Sequence, residues 1–247
     1  MIIYGINPVL EALRAGRVKE LRVGERADAR LKHLLALAGE RGVRVRRVPV
    51  DLLERDSHRG VHQGVVAEIE RGADYSIEEI VSGAARTPLI VVLDGVEDPH
   101  NLGAILRTAD AAGVDGVVVQ SRRAASRAGV AAKASAGALA HVKIAEVVNI
   151  ARAVEELKEA AVWTVGLASD APDSYDAIDL TLPTALVLGA EGAGLRRLVR
   201  ERCDRLASIP MRGHVGSLNV SVAAGVVLFE AVRQRHLGGG RSPNKIS

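Results

Sequence analysis

Several features that would place this chain in a special class are missing from its 247 residues. Cys203 is the single cysteine, which excludes a disulfide framework and a cysteine-based zinc site. No run of about 18 apolar residues occurs, so a membrane span is not expected. The N-terminus lacks the basic and apolar regions of a secretory signal, and we therefore expect a cytoplasmic protein.

Aromatic residues and metal-binding patterns are also scarce. Phe, Trp and Tyr make up 2% of the chain, which argues against a nucleic-acid surface built on stacked bases. The seven histidines show no H-E-x-x-H or paired metal spacing, so we expect no metal site. Ser217 has no G-x-S-x-G elbow, which argues against a serine hydrolase.

Basic charge is concentrated in the N-terminal third. Residues 1–72 carry 14 Lys and Arg against 10 Asp and Glu, whereas residues 73–247 carry 19 against 20. Arginine grips phosphates through two donors, but an arginine-rich surface also arises from genome composition alone. The charge distribution alone does not distinguish a phosphate-binding surface from an effect of genome composition. The candidate RNA contacts are Arg44, Arg46, Arg47, Arg59 and His62.

The pattern of apolar residues predicts an α/β protein with two domains. Residues 1–72 form a small alternating unit, with a helix starting at Asn7-Pro8 and Asn7 as its N-cap. Residues 73–87 are small and polar with few apolar anchors, and we assign them to a linker. Residues 88–236 alternate continuous apolar strands with helices, which is typical of a parallel sheet covered on both faces. Residues 237–247 form a flexible tail.

Three segments of the second domain place small and polar residues just after a strand, where parallel sheets bind ligands. The first runs from Leu93 to Arg107 and contains Asn101. Its helix has an apolar face, and Arg107 lies on the opposite side among small residues rather than charges. This pattern favours a packed face with Arg107 reaching into a site; the alternative is an ion pair with Asp110 or Glu97.

The second segment, Leu186 to Leu195, contains a glycine-rich turn around Glu191 that fits neither the Rossmann fingerprint nor a P-loop. Glu191 alternatively caps the following helix. The third segment runs from Ile209 to Ser221, where Ser217 or Asn219 is a suitable N-cap. Positions 219–229 carry no charge, which predicts a helix buried on all sides and favours a dimer.

In this order and spacing, the three segments resemble the motifs of the SpoU (TrmH) family of RNA ribose 2′-O-methyltransferases. Residues 1–72, with Tyr4-Gly5-Ile6-Asn7 and the stretch from His62 to Ala67, resemble the RNA-binding domain of one subgroup. That subgroup methylates a guanosine of large-subunit (23S) ribosomal RNA. The alternatives are a tRNA or resistance-type rRNA methyltransferase and a non-catalytic RNA-binding assembly factor.

The resemblance implies S-adenosylmethionine as methyl donor, a trefoil knot near the C-terminus, a homodimer and ribosomal RNA as substrate. The catalytic residues that it implies are Arg107, Asn101, Glu191, Ser217 and Asn219, and the donor-binding residues are Leu188, Gly189, Ile209, Met211 and Leu218. Because an arginine pKa exceeds about 12, we favour Arg107 as a group that positions the ribose hydroxyl rather than as a base.

Overall fold

A computed structural model describes residues 2–25, 31–57, 60–69, 75–121 and 142–238. These residues divide into an N-terminal unit, residues 2–69, and a C-terminal unit that begins at Tyr75. The predicted α/β class is confirmed in both units. The knot implied by the resemblance stays a prediction.

The N-terminal unit is a four-stranded sheet in the order β1-β4-β2-β3, with parallel pairing only between β2 and β3. Helices α1 and α2 share the larger of its two apolar cores. The elements are β1 (Ile2–Tyr4), α1 (Ile6–Arg14), β2 (Val18–Gly24), α2 (Lys32–Glu40), β3 (Arg44–Val48), α3 (Val50–Asp56) and β4 (Val65–Ile69).

Helix α1 starts earlier than the sequence predicts. Its N-cap is Gly5, at φ 93°, and not Asn7. The side-chain oxygen of Gln63 accepts a hydrogen bond from the Ile6 amide at 2.9 Å and so satisfies a helix donor that a capping residue would otherwise take. The prediction of Asn7 as N-cap is wrong because the partner lies 57 residues away.

The C-terminal unit contains a seven-stranded sheet in the order β7-β6-β5-β10-β8-β11-β9, and every neighbouring pair is parallel. Strands β7 and β9 are short and were not predicted. The elements are α4 (Ile77–Ser82), β5 (Leu89–Asp94), α5 (Pro99–Ala111), β6 (Gly116–Gln120), β7 (Ile144–Val147), α6 (Ile150–Glu159), β8 (Trp163–Leu167), β9 (Asp173–Ser174), a 3-10 turn (Tyr175–Ala177), β10 (Thr184–Gly189), α7 (Arg197–Arg202), β11 (Arg205–Ser208) and α8 (Val220–Gly238).

The described part of the predicted linker packs into the C-terminal unit. Ser76 and Glu79 form a reciprocal capping box at the start of α4. Ile77 and Ile80 are buried in the core of the large sheet, where a Cβ on Gly116 would overlap the Ile80 side chain. The interpretation of residues 75–87 as a linker therefore does not hold, because Ile77 and Ile80 anchor this segment in the core.

The lack of charge predicted that helix α8 is buried on all sides, and this prediction is wrong. Val222 and Phe229, seven residues apart on one face, each expose 51% of their surface. The far end is fixed by Arg235, whose guanidinium donates to the carbonyls of Leu180, Thr87, Pro88 and Leu182. Burial lowers the pKa of Arg235. The helix extends to Gly238, and the rest of the predicted tail lies outside the described residues.

We predict that Ile80→Ala lowers the free energy of unfolding by about 2–5 kcal/mol, because it opens a cavity in the large core. Glu78→Ala, on the exposed side of the same helix, is the control and changes it by less than about 1 kcal/mol. Urea denaturation measures both. A small, equal effect of the two substitutions would mean that α4 is a linker segment after all.

Candidate active site

Two of the three predicted segments meet through Asn101, at the start of α5. Asp98 caps this helix, because its carboxylate accepts a hydrogen bond from the Asn101 amide at 3.0 Å. The Asn101 side chain is buried, with 8% exposure of the residue. Its amide nitrogen donates to Glu191 Oε2 at 3.2 Å, and Glu191 belongs to the glycine-rich turn.

The third segment contacts the side-chain oxygen of Asn101. Asn219 Nδ2 donates to Asn101 Oδ1 at 2.9 Å. Asn219 Oδ1 accepts from the Ser221 amide at 2.9 Å and from the Ser221 hydroxyl at 2.6 Å, which caps α8. Asn219 is therefore both the predicted helix cap and a member of the site. We call the series Glu191–Asn101–Asn219 the amide relay.

The glycine-rich turn is closed by its own backbone. Ala190 and Gly194 exchange two hydrogen bonds, of 3.1 and 2.8 Å. A Cβ on Gly189 would overlap the backbone of Gly194 and Leu195. A glycine at this position therefore allows the two ends of the turn to approach each other closely. At Gly189 the space that a side chain would need is taken by the chain itself.

An ion pair behind the turn, in which the carboxylate is buried, was not found from the sequence. Asp94, the last residue of β5, has no exposed surface. Its carboxylate accepts from the Arg196 amide at 2.8 Å and from Arg196 Nε at 2.6 Å. The apolar run that reveals β5 gives no sign of a partner 102 residues away.

Arg107 is exposed on α5, beside the exposed Ala104 and Ala111. The predicted apolar face of this helix is confirmed, because its members are buried: Leu102, Ile105, Leu106 and Ala109. Ser217 is exposed and does not take part in the amide relay. The structure thus joins three of the five candidate catalytic residues directly.

The candidate donor-binding residues lie at the carboxyl ends of β10 and β11 and just before α8. Leu188 is buried, whereas the other four are partly exposed: Gly189, Ile209, Met211 and Leu218. Among the described residues, no group of three His, Cys, Asp or Glu side chains is arranged to hold a metal ion. Burial raises the pKa of Cys203 to about 12, so its thiol is a poor nucleophile.

The candidate RNA contacts of the N-terminal unit lie apart from the amide relay in the chain. The three arginines of β3 are exposed on an edge strand: Arg44, Arg46 and Arg47. His62 Nδ1 accepts from the Gly64 amide at 3.0 Å. Arg59 lies outside the described residues. No helix in the described part of the chain is long and apolar enough to cross a membrane.

Comparison with known families matches both units. Residues 88–229 match the SpoU rRNA Methylase family, and residues 2–74 match the domain described as RNA 2'-O ribose methyltransferase substrate binding. The 23S rRNA (guanosine-2'-O-)-methyltransferase RlmB of Pseudomonas putida is 46% identical over 245 residues, which cover 95% of this chain and 97% of that protein.

Two solved structures extend the similarity to the fold. The SpoU methyltransferase AviRb from Streptomyces viridochromogenes, in complex with the cofactor AdoMet, superposes with a TM-score of 0.77 at 30% identity. The match covers 97% of this chain and 91% of AviRb. The TrmH/SpoU tRNA modifying enzyme of A. aeolicus superposes with a TM-score of 0.56 at 34% identity. This match covers 62% of our chain and 78% of that enzyme.

We predict that Asn101→Ala lowers the free energy of unfolding by about 1–3 kcal/mol, because it leaves the polar atoms of Asn219 and Glu191 without their partner. Asn149→Ala is a matched control. It removes the N-cap of α6, whose side chain accepts from the Arg152 amide, and costs about 1 kcal/mol. Thermal denaturation measures both. An Asn101→Ala variant as stable as the wild type would show that the relay contributes nothing to folding.

Proposed function

This chain belongs to the SpoU rRNA methylase family, and on that premise we propose that it methylates 23S ribosomal RNA. The reaction transfers a methyl group from S-adenosylmethionine to the ribose 2′-hydroxyl of a guanosine. The observation that carries the proposal is the amide relay, which brings the first and third family motifs together with the glycine-rich turn. The family resemblance seen in the sequence is confirmed.

The residues at the carboxyl edge of the sheet fit the donor. S-adenosylmethionine supplies a methyl group on a positively charged sulfonium, beside an adenosine and an amino-acid moiety. The partly exposed side chains of Ile209, Met211 and Leu218 offer apolar contact for the adenine. A Cβ on Gly192 or Gly194 meets no other atom within 4 Å, so the backbone of the turn is open to a ligand.

The relay suits the orientation of a ribose. A 2′-hydroxyl is a weak nucleophile, and its proton must leave as the new C–O bond forms. Glu191 is the carboxylate of the relay, held by Asn101, and in this proposal it accepts that proton. Asp94 and Asp98 are engaged by Arg196 and by the helix amide. The guanidinium of Arg107 stabilises the negative charge that develops on the oxygen. Ser217 adds a neutral hydroxyl.

We propose that two copies of the chain form a homodimer. The uncharged face of α8 exposes Val222 and Phe229, and α5 exposes the small residues Ala104 and Ala111. Exposed apolar residues on one helical face are typical of a surface that another protein covers. In the dimer, burial strengthens the electrostatic effect of Arg107. Acting on ribosomal RNA, the enzyme works in the cytoplasm.

The direct test is to map ribose methylation across ribosomal and transfer RNA from cells with and without the gene. We expect one guanosine of 23S RNA to lose its 2′-O-methyl group in the deletion strain and to regain it when the gene is restored. Loss of methylation in tRNA alone would contradict the substrate, and an unchanged map would contradict the activity.

We predict that Arg107→Ala reduces methyl transfer about 100-fold or more, because a charge-stabilising donor is lost from the transition state. The dissociation constant of S-adenosylmethionine and the oligomeric state stay near their wild-type values, since the candidate donor-binding residues and the exposed apolar face of α8 are unchanged. Arg152→Ala, an exposed arginine on α6, serves as control. Methyl incorporation and calorimetry on the same preparation measure the effect. Near-normal turnover would remove Arg107 from the reaction.

We predict that the N-terminal unit supplies much of the affinity for RNA. Replacing Arg44, Arg46 and Arg47 together by Ala weakens binding, and each lost phosphate contact flattens the log–log salt dependence by roughly 0.7–0.9. Arg14→Ala, exposed at the end of α1, is the control. Titrations at several salt concentrations give the slopes. Equal slopes for the triple variant and the wild type would place the RNA contacts elsewhere.

A further inference from the structure

The pair Asp94–Arg196 is the anchor behind the glycine-rich turn. Asp94 stands opposite Gly189 in the pairing of β5 with β10, so the carboxylate lies where the turn leaves the sheet. Arg196, which directly precedes α7, is where the turn ends. The backbone amide and the Nε of Arg196 both donate to this carboxylate. One buried group thus fixes the far end of the turn to the strand beside its near end.

Between these ends the turn bonds mainly to itself, and Leu195, just before Arg196, packs against the core of the large sheet. Ala190 and Gly194 bond to each other, and Gly192 and Gly194 occupy left-handed conformations at φ 77° and 66°. Residues 191–194 are exposed. Beyond the turn itself, the hydrogen bond from Asn101 to Glu191 is the contact that holds its tip. The shape of the turn therefore depends on where Arg196 is held.

Burial distinguishes this pair from the other ion pairs of α7. Asp94 has no exposed surface, so removal of its partner leaves a charge in the interior, which is strongly unfavourable. Arg197–Glu201 and Arg200–Asp170 lie on the surface, where an ion pair contributes little. Among the arginines of this segment, Arg196 is the one whose carboxylate partner has no exposed surface.

We propose that Asp94 and Arg196 are positioning residues that set the affinity for S-adenosylmethionine by holding the turn at residues 189–195 in its binding shape. This inference rests on the proposed function. Neither residue has to touch the donor, since the pair acts through the backbone of the turn, which is open to a ligand at Gly192 and Gly194. The planar guanidinium suits the role, because its Nε and terminal nitrogen both lie within reach of Asp94 Oδ1.

The test compares Arg196→Ala, Arg196→Lys and the surface control Arg197→Ala in the full chain. Calorimetry measures the dissociation constant of S-adenosylmethionine without RNA, and circular dichroism confirms that each variant is folded. We expect Arg196→Ala to weaken binding at least tenfold. Arg196→Lys keeps the charge but loses the planar guanidinium with its two donors to Asp94, and we expect binding three- to tenfold weaker. Arg197→Ala binds within twofold of the wild type.

A folded Arg196→Ala variant with wild-type affinity would overturn the inference and leave a purely structural role. If Arg196→Ala does not fold, Arg196→Lys decides, and affinity within twofold of the wild type would overturn the inference. Failure of the wild-type chain itself to bind S-adenosylmethionine would instead contradict the proposed function, so the two failures are distinguishable.

Discussion

The buried side-chain amide of Asn101 is the interaction on which the site depends. One amide presents a donor and an acceptor in fixed geometry, and a buried polar group costs free energy unless both are satisfied. Asn101 donates to Glu191 and accepts from Asn219, residues 90 and 118 positions further along the chain. Because both bonds must form together, the amide fixes the turn after β10 and the start of α8 relative to α5.

The parallel sheet makes this arrangement possible. Strands β5 and β10 are neighbours, so the segments that follow them leave the same edge side by side. The sheet alone does not fix the shape of the turn. That shape requires the close approach of Gly189 to the end of the turn, where a Cβ would not fit. It also requires the hydrogen bonds that hold Arg196 to Asp94. The geometry of this candidate site is the product of backbone packing, one buried carboxylate and one buried amide.

Local signals in the sequence predicted much of this fold. Continuous apolar runs identify the central strands, and Asn219 is recognisable as a helix cap because capping depends on residues close by in sequence. Contacts between distant residues were missed. The start of α1 is set by Gln63, and the anchor of the turn is set by Asp94, which reads in sequence as the end of a strand. For the candidate site, the motifs named the residues, but no pattern showed that Asn101 joins two of them.

In the proposed reaction, Asn101 and Asn219 act as one unit. A double-mutant cycle on methyl transfer measures this coupling, with Asn101→Ala, Asn219→Ala and the double variant assayed on the same RNA at saturating donor. If the relay is a unit, either single substitution removes its function and the double variant is scarcely slower than the slower single variant. If the two losses multiply, the residues contribute independently and the account is contradicted.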